Sequence, residues 1–436
     1  MANTTEHKKF ILTDALENNN KFWEYTIFDD NTIEYRWGRV GSAGQSKKDN
    51  YNKSALNSKV NEKTKKGYAG IEIIAKSTAT VQSNPTSVNK TVLKEAAHSH
   101  FCQDDSNPIL ASLINKLVDA NKHEIIASTG GMMNVDVTSG VISTARGVVG
   151  KDNIAQAKDL LDKMAVFVQQ NDIDNTDYLK LLNTYLMKVP QKVGSSKGWH
   201  KTFIHNDNAI QKQSSLLDQL EASVDLAYSK MAAATSDPTI PKPKSIFDVK
   251  LKICEDVDVI KMIEKMFFST LSQQHTSSRL KPKRVYEVEI AKMKQAFQND
   301  GAKLHNIELL WHGTRVFNVL SILKNGLIIP PTRGGTYQIA GRMFGNGIYH
   351  SNIASKALNY SHGYWDGGPK DNNCFMFLCE VAMGTHYVPR SSSETLPKAG
   401  YDSTWAKPGI SGIQNNEMIV YRTSQSNIRY LVEFGE

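Results

Sequence analysis

The sequence predicts a multidomain α+β protein with a small β-rich unit first, an all-helical block in the middle and a mixed α+β domain last. Its 436 residues exceed what one ordinary hydrophobic core accommodates, so several domains are expected. Aromatic and β-branched segments near the start give way to a helical period of apolar residues from Pro108 onward. Strand-like segments return after the proline-rich boundary at 236–243. These changes of period separate the three parts.

The composition is that of a soluble globular protein. Hydrophobic residues make up 40% of the chain and charged residues 22%, and no apolar run is long enough to span a membrane. The N-terminus lacks the basic and apolar regions of a secretory signal. The four cysteines are scattered, which argues against a zinc finger or a disulfide framework and predicts a reducing compartment. We therefore expect no metal and no membrane partner.

The first predicted domain covers residues 1–76. Residues 22–28 and 32–37 favour strands, and the Asp-Asp-Asn turn between them joins the two into a hairpin. A helix is predicted at 53–66. Nine basic and two acidic residues lie within 36–66, so this stretch is either a solvated lysine-rich surface or a contact for a polyanion.

The middle of the chain is predicted to be helical. Residues 77–107 are rich in Ser, Thr, Asn and Gln and predict a linker, and residues 108–234 form the next domain. Three segments of that domain repeat apolar residues at helical spacing, starting near Pro108, Ile154 and Leu216. The Gly-, Ser- and Thr-rich stretch at 129–150 predicts a long internal loop.

The last predicted domain, 235–436, is mixed. Its strands are predicted from an alternating segment, a continuous apolar run and two segments near the C-terminus, at 286–290, 375–381, 417–421 and 428–434. The basic run at 281–284 resembles a weak nuclear signal, but we interpret it as a basic loop before a strand.

Four short segments of the last domain combine glycines with polar and aromatic residues, as ligand sites do. They lie at 310–315, 341–349, 355–360 and 415–421. Each has an ordinary structural explanation when taken alone, such as a turn after a strand, aromatic packing or a solvated glutamate. Gly345 and Gly347 lack the third glycine of the dinucleotide fingerprint, so a Rossmann fold is not predicted.

Together and in this order, these segments resemble the catalytic domain of the poly(ADP-ribose) polymerase family. The family's marks are a His-Gly turn, a glycine loop that leads to a tyrosine, a second tyrosine and a late glutamate. The residues that match are His312, Gly313, Tyr349, Tyr360 and Glu417. The resemblance implies an ADP-ribosyltransferase fold for 235–436.

The rest of the chain fits the same family. The segment at 36–41, Arg-Trp-Gly-Arg-Val-Gly, resembles the signature of the WGR domain, and 108–234 resembles the family's helical regulatory domain. In the family this bundle obstructs NAD entry until DNA binding loosens it, although a purely structural bundle is the alternative. The domain order is that of the DNA-dependent members.

The resemblance implies an activity. The protein would cleave NAD, its substrate, without a metal, release nicotinamide, and transfer ADP-ribose to protein side chains, its own included, and to a growing chain. DNA strand breaks would activate it. Retention of His312, Tyr349 and Glu417 as the catalytic set favours a polymerase. The alternatives are a mono-ADP-ribosyltransferase of the same fold and a catalytically inactive DNA-binding scaffold. By family, the location is nuclear in a eukaryote, and cytoplasmic or at the nucleoid in a prokaryote.

Individual roles follow from the resemblance. Glu417 would stabilise the oxocarbenium-like transition state and polarise the acceptor hydroxyl, and Met343 would line the acceptor side. The residues expected to bind NAD are His312, Gly313, Thr314, Asn318, Tyr349 and Tyr360. Two departures from the family are Ala357, where a serine usually bonds the nicotinamide carbonyl, and the acceptor-side pair Arg342 and Asn346.

The WGR-like segment supplies the candidate DNA contacts. Trp37 is either a core aromatic or an exposed ring that stacks on broken DNA. Arg39 would contact phosphate, or bridge to the catalytic module and carry the signal. Lys47 and Lys48 would supply phosphate attraction that is independent of sequence.

Overall fold

We describe a computed structural model of the chain. It describes residues 3–14, 19–39, 43–71, 107–135, 142–144, 147–194, 197–234, 248–272, 275–329, 343–364 and 370–436. The predicted linker, except for Asn107, and Arg342 lie outside these residues. The chain forms two compact units, one of residues 1–91 and 123–224 and the other of residues 92–122 and 225–436.

The first unit begins with a five-stranded sheet in the order β4-β3-β2-β1-β5. The strands are β1 (Thr4–Asp14), β2 (Asn19–Phe28), β3 (Thr32–Arg39), β4 (Gln45–Asn50) and β5 (Ala69–Ile71). All neighbouring strands are antiparallel. Helix α1 (Lys53–Lys65) buries Leu56 against the sheet. Leu56 there joins a core group that we call the aromatic cluster, formed by Phe10, Trp23, Tyr25, Ile27, Ile33 and Tyr35. The predicted hairpin and helix are confirmed.

The helical part follows. Helix α2 (Pro108–Ser128) begins at the predicted proline, which suits a first helical turn because proline lacks an N–H group. The further helices are α3 (Lys151–Gln169), α4 (Thr176–Lys188), α5 (His200–Phe203) and α6 (Asp207–Ala234). Their apolar faces pack inward, as the helical spacing of Ile154, Leu161 and Leu216 predicted.

The stretch at 129–150 was wrongly predicted to be only a loop. It contains a three-stranded antiparallel sheet of β6 (Met133–Val135), β7 (Ile142–Thr144) and β8 (Gly147–Val148). Strands of two or three residues are too short to show alternation, so this stretch carries no strand pattern.

The second unit contains two further sheets. The larger has five strands in the order β11-β13-β17-β10-β9, namely β9 (Val249–Ile253), β10 (Lys281–Ile290), β11 (Ile307–Gly313), β13 (Cys374–Ala382) and β17 (Ser426–Gly435). The smaller has the order β12-β16-β15-β14, from β12 (Ile348–His350), β14 (His386–Tyr387), β15 (Ser403–Ala406) and β16 (Glu417–Val420). The mixed α+β prediction is confirmed.

Four helices of the second unit accompany these sheets. They are α7 (Val257–Ser269), α8 (Ala291–Asn299), α9 (Val316–Asn325) and α10 (Ala354–His362). Nearly all of α10 is buried, and Gly363 ends it in the left-handed conformation (φ 79°) that glycine adopts without strain. Strand β13 lies inside the larger sheet and buries every residue except Glu380, which explains why the rest of the strand is apolar.

The basic run at 281–284 was wrongly interpreted as a loop. These residues form the first part of β10, where Lys281 pairs with Gly435 in β17. The guanidinium of Arg284 lies 3.5 Å from the Glu433 carboxylate. Among the described helices, none is both long and apolar enough to cross a membrane.

Candidate functional site

His312 lies near the end of β11. Its Nδ1–H group donates to the backbone carbonyl of Tyr349 across 2.9 Å, which leaves Nε2 as the acceptor of the neutral ring. Burial lowers the pKa of His312, although the Tyr349 carbonyl partly opposes this effect. The ring is therefore neutral at pH 7, and Nε2 can accept a hydrogen bond from a hydroxyl group.

Gly313 follows directly and packs against α10. A Cβ at this position would overlap the backbone carbonyl of Ala357, so only glycine fits between the strand and the helix. The next amide, that of Thr314, donates to Ser361 Oγ at 3.0 Å, and this hydroxyl donates to the Phe375 carbonyl at 2.7 Å. Close packing and this short network hold the His-Gly turn in one position.

Tyr349 projects from β12 and is anchored at its hydroxyl. The hydroxyl accepts from the Phe344 amide at 2.9 Å and donates to the Gly345 carbonyl at 2.8 Å. The glycine loop therefore closes onto the ring that it leads to. Met343, at the start of the described part of this loop, is 43% exposed.

Glu417 opens β16 and forms an ion pair with Lys356 of α10. Lys356 Nζ lies 2.7 Å from Glu417 Oε1 and donates to the Asn416 carbonyl at 2.9 Å. Burial lowers the pKa of Lys356, and the carboxylate opposes that shift. The pair is well enclosed, with side-chain exposures of 10% for Lys356 and 14% for Glu417. Lys356 therefore orients the carboxylate.

The sequence interpretation assigned Lys356 no role. The sequence does contain a pattern that indicates an ion pair at Lys356. A lysine within a helix of mostly small or apolar residues requires a charged or hydrogen-bonding partner if that helix is buried. Nothing in the local pattern shows that all sides of α10 are covered, so the partner was visible only in three dimensions.

Tyr360 and Asn318 flank these residues. Tyr360 exposes 46% of its surface, and burial of the remainder together with nearby Glu417 raises its pKa to about 12. Asn318 lies in the first turn of α9, where its Nδ2 donates to Thr314 Oγ1 at 3.2 Å. Ala357 is 4% exposed, on the turn of α10 that faces Gly313.

The site residues come from both sheets of the second unit. A backbone bridge joins the sheets, since Trp311 and Ser351 exchange N–H···O bonds of 2.9 and 3.0 Å. Pairing of β12 with β16 then places Tyr349 opposite Ile419, two residues from Glu417. The bridge and this pairing bring the His-Gly turn, the anchored tyrosine and the carboxylate together.

The candidate DNA residues lie on β3 and β4. Trp37 shares a sheet face with Ile33 and Tyr35, but it is 37% exposed and lies beyond the aromatic cluster. Lys47 and Lys48 are exposed, and each lies near an aspartate, with Lys47 Nζ 3.0 Å from Asp49 and Lys48 Nζ 3.8 Å from Asp30.

Arg39 makes a contact within the first unit. Its Nη2 donates to the Gly194 carbonyl at 3.0 Å, in the segment after α4. This contact joins the WGR-like sheet to the segment after α4, and both roles predicted for Arg39, a phosphate contact and a bridge to the catalytic module, stay predictions.

Comparisons with known proteins agree with this organisation. Residues 258–409 match the poly(ADP-ribose) polymerase catalytic domain, a match that stops short of Glu417, and residues 8–73 match the WGR domain. Within the described residues, no group of His, Cys, Asp and Glu side chains is arranged to hold a metal ion.

Several curated relatives match most of the chain. Human protein mono-ADP-ribosyltransferase PARP3 is 24% identical over 97% of this chain and 86% of its own length. Human poly(ADP-ribose) polymerase 2 is 23% identical over 95% of this chain and 77% of its own. Chicken poly(ADP-ribose) polymerase 1 is 28% identical over 66% of this chain, but the match spans only 30% of that larger protein. The chain therefore carries a poly(ADP-ribose) polymerase catalytic domain and, ahead of it, a WGR domain.

Proposed function

We propose that the protein is a poly(ADP-ribose) polymerase that DNA breaks activate. It cleaves NAD, releases nicotinamide, and transfers ADP-ribose to protein side chains, including its own, and to the growing chain. The observation that carries the proposal is the oriented carboxylate of Glu417, held by Lys356 beside the anchored tyrosine and the His-Gly turn.

The residues of the site suit NAD. Gly313 presents its backbone N–H and carbonyl to the nicotinamide carboxamide, and its lack of a side chain lets α10 pack directly behind it. The rings of Tyr349 and Tyr360 stack on the nicotinamide. The neutral His312 accepts a hydrogen bond from a ribose hydroxyl, and Asn318 lines the adenosine end.

The reaction is a substitution at the nicotinamide ribose. The bond between C1′ and the nicotinamide nitrogen breaks, and its electron pair leaves with the nicotinamide, which becomes neutral. Positive charge develops on the ribose, and the carboxylate of Glu417 stabilises it. The acceptor oxygen bonds to C1′, and an acceptor that is a hydroxyl group releases its proton to water. In chain extension Glu417 polarises the attacking hydroxyl.

Replacement of Glu417 by Gln tests the chemistry. The variant keeps the size of the side chain but loses the charge that stabilises the transition state, so we expect no polymer with NAD and nicked DNA on a denaturing gel. Glu308→Gln, which removes a carboxylate from β11 in the same unit, is the matched control. Polymer formed at the wild-type rate by Glu417→Gln would contradict the assignment.

A second candidate function is transfer of a single ADP-ribose. The near-complete match to human protein mono-ADP-ribosyltransferase PARP3 favours it. The same gel separates the possibilities: a high-mass smear indicates polymer, a sharp modified band indicates single transfer, and an unchanged band indicates an inactive scaffold.

DNA sensing is assigned to the first unit. The exposed ring of Trp37 and the exposed amines of Lys47 and Lys48 support stacking on a DNA end with phosphate attraction. Lys47→Glu with Lys48→Glu should weaken activation by nicked DNA and leave DNA-independent turnover unchanged. The matched control is the same double reversal at the exposed lysines Lys261 and Lys265 of α7. Equal activation of both double variants would place DNA sensing elsewhere.

Helical residues that belong to the second unit support regulation of the site. Lys324 Nζ at the end of α9 lies 2.5 Å from Asp225 of α6, and both side chains are 9% exposed. The same helix, α9, carries Asn318 at its start. We expect Asp225→Asn to raise turnover in the absence of DNA, because it loosens α9 from α6. Unchanged basal turnover in a folded variant would mean that the helices serve only stability.

In a eukaryotic source the protein would act in the nucleus, and in a prokaryotic source at the nucleoid.

A further inference from the structure

The segment that carries Glu417 is tied to the start of α10 at several points. The Asn416 carbonyl accepts from Lys356 Nζ at 2.9 Å and from Ser351 Oγ at 3.1 Å. The side-chain Nδ2 of Asn416 donates to Asn352 Oδ1 at 3.1 Å. These contacts hold the residue just before Glu417, and they come from the chain on either side of the N-terminus of α10.

A further tie comes from the loop between α7 and β10. His275 Nδ1 lies 2.7 Å from Ser355 Oγ in the first turn of α10, and His275 Nε2 lies 3.4 Å from Asn415 Nδ2. Because Asn415 presents an N–H donor, Nε2 accepts and Nδ1 carries the proton. Ser355 Oγ also accepts from the Ser272 amide at 2.8 Å. His275 thus connects α10 to the segment two residues before Glu417.

The remaining contacts of this loop anchor α10 without reaching that segment. Ser277 Oγ donates to Asn359 Oδ1 at 2.7 Å, and Thr270 Oγ1 accepts from the Ala354 amide at 3.1 Å. Ser277 is fully buried, as Ser355 is. Two functions are therefore carried by different side chains: Ser277 secures the loop on the helix, and His275 also reaches Asn415.

We propose that His275 is a positioning residue that sets the place of the Glu417 carboxylate relative to α10. It does so through Asn415, which it holds at one ring nitrogen while the other nitrogen is fixed on Ser355. The inference rests on the proposed function, because Glu417 is taken to act on the nicotinamide ribose. His275 itself touches no reacting atom.

Two substitutions separate the two ring nitrogens. Asparagine places an amide near the position of Nδ1, so His275→Asn keeps the bond to Ser355 and loses the tie to Asn415. Glutamine places its amide near Nε2, so His275→Gln keeps the tie to Asn415. We expect His275→Asn to lower kcat by roughly 10- to 100-fold with little change in KM, because a misplaced catalytic group costs rate more than binding. We expect His275→Gln to recover part of that loss.

Two further variants show whether the effect passes through Asn415. Asn415→Ala should lower kcat as His275→Asn does, and the double variant should be no slower than either single one, because both remove the same link. Ser277→Ala is the matched control and should lower the melting temperature while leaving kcat unchanged. Wild-type kcat in His275→Asn, or multiplicative losses in the double variant, would overturn the proposal.

Hydrogen exchange measured by mass spectrometry on the full chain tests the same link without turnover. His275→Asn should speed exchange of the amides in a peptide that spans 414–418, and Ser277→Ala should not. If wild-type protein releases no nicotinamide from NAD, the proposed function fails, yet this measurement still decides whether His275 holds the segment. Equal exchange in wild type and His275→Asn would refute the positioning role.

Discussion

Gly313→Ala is the substitution whose effect follows most directly from the geometry. An added Cβ would lie 2.6 Å from the carbonyl carbon of Ala357 and overlap the oxygen. Carbon contacts settle at about 3.5–4.0 Å, so β11 and α10 must separate by roughly 1 Å. Overpacking of this kind costs about 1–3 kcal/mol. In a unit of this size we expect the melting temperature to fall by about 2–12 °C.

The same displacement should impair the site. A shift of about 1 Å at a catalytic group lowers rate on the order of 100-fold. We therefore expect Gly313→Ala to lose most nicotinamide release and to bind benzamide, a nicotinamide mimic, more weakly by titration calorimetry. Both sheets should remain folded at room temperature, as circular dichroism would show.

The control is the same substitution elsewhere in the larger sheet. A Cβ at Gly435 in β17 would meet only the flexible end of Lys283, with Cε at 3.3 Å, and the Asn372 carbonyl at 3.7 Å. Gly435→Ala should therefore melt close to wild type and keep its activity. If Gly313→Ala melts within about 1 °C of wild type and binds benzamide equally well, β11 and α10 yield more easily than this packing implies.

Three further changes have defined expectations. Ala357→Ser should tighten benzamide by roughly 2- to 12-fold in calorimetry, since one restored neutral hydrogen bond contributes about 0.5–1.5 kcal/mol, and equal affinities would mean that the hydroxyl is already replaced. Trp37→Ala should raise the concentration of nicked DNA needed for half-maximal activation without changing turnover at saturation, and an unchanged titration would leave the ring without a role in sensing. Burial lowers the pKa of His350 well below its usual value, so the unfolded chain takes up a proton as pH falls below about 6.5 and the folded protein does not. The stabilisation that this neutral histidine provides is therefore fully present above that pH, and about 1 kcal/mol of it is lost by pH 5.5. His350→Phe should accordingly reduce the fall in melting temperature between pH 7 and pH 5.5. An equal fall in the variant and in the wild type would refute the linkage.

The strands and helices that carry the chemistry were predictable because their patterns are long and local. The apolar run of β13 and the alternation of β10 each indicate one structure. The ion pair between Lys356 and Glu417 was not predictable, because these residues lie far apart in the sequence and meet only through the pairing of β12 with β16 and the burial of α10. Sequence spacing carries no information about such a meeting.

One misinterpretation, of the basic run at 281–284, and one question that the sequence left open, the exposure of Trp37, have a similar cause. The basic run at 281–284 looks like a loop because charged residues suggest solvent, yet a strand with one accessible face accommodates them, and Arg284 lies near a carboxylate on β17. Trp37 has the parity of a core residue on β3, but it lies beyond the aromatic cluster. The alternation of residues along a strand predicts which face of the sheet a side chain lies on. It does not predict which part of that face is covered by other side chains.

The backbone bridge between Trp311 and Ser351 bears on how the catalytic unit responds to its substrate. A molecule whose carboxamide rests on Gly313 and whose ribose meets Glu417 contacts the larger sheet with one end and the smaller sheet with the other. Such a ligand links two sheets that the chain itself joins at this point with one pair of backbone hydrogen bonds. We expect the calorimetric unfolding transition of the ligand-free protein to be broad, because the two sheets unfold at different temperatures. The NAD-like ligand should sharpen it into one cooperative transition, and a fragment that occupies only the nicotinamide end should do so less.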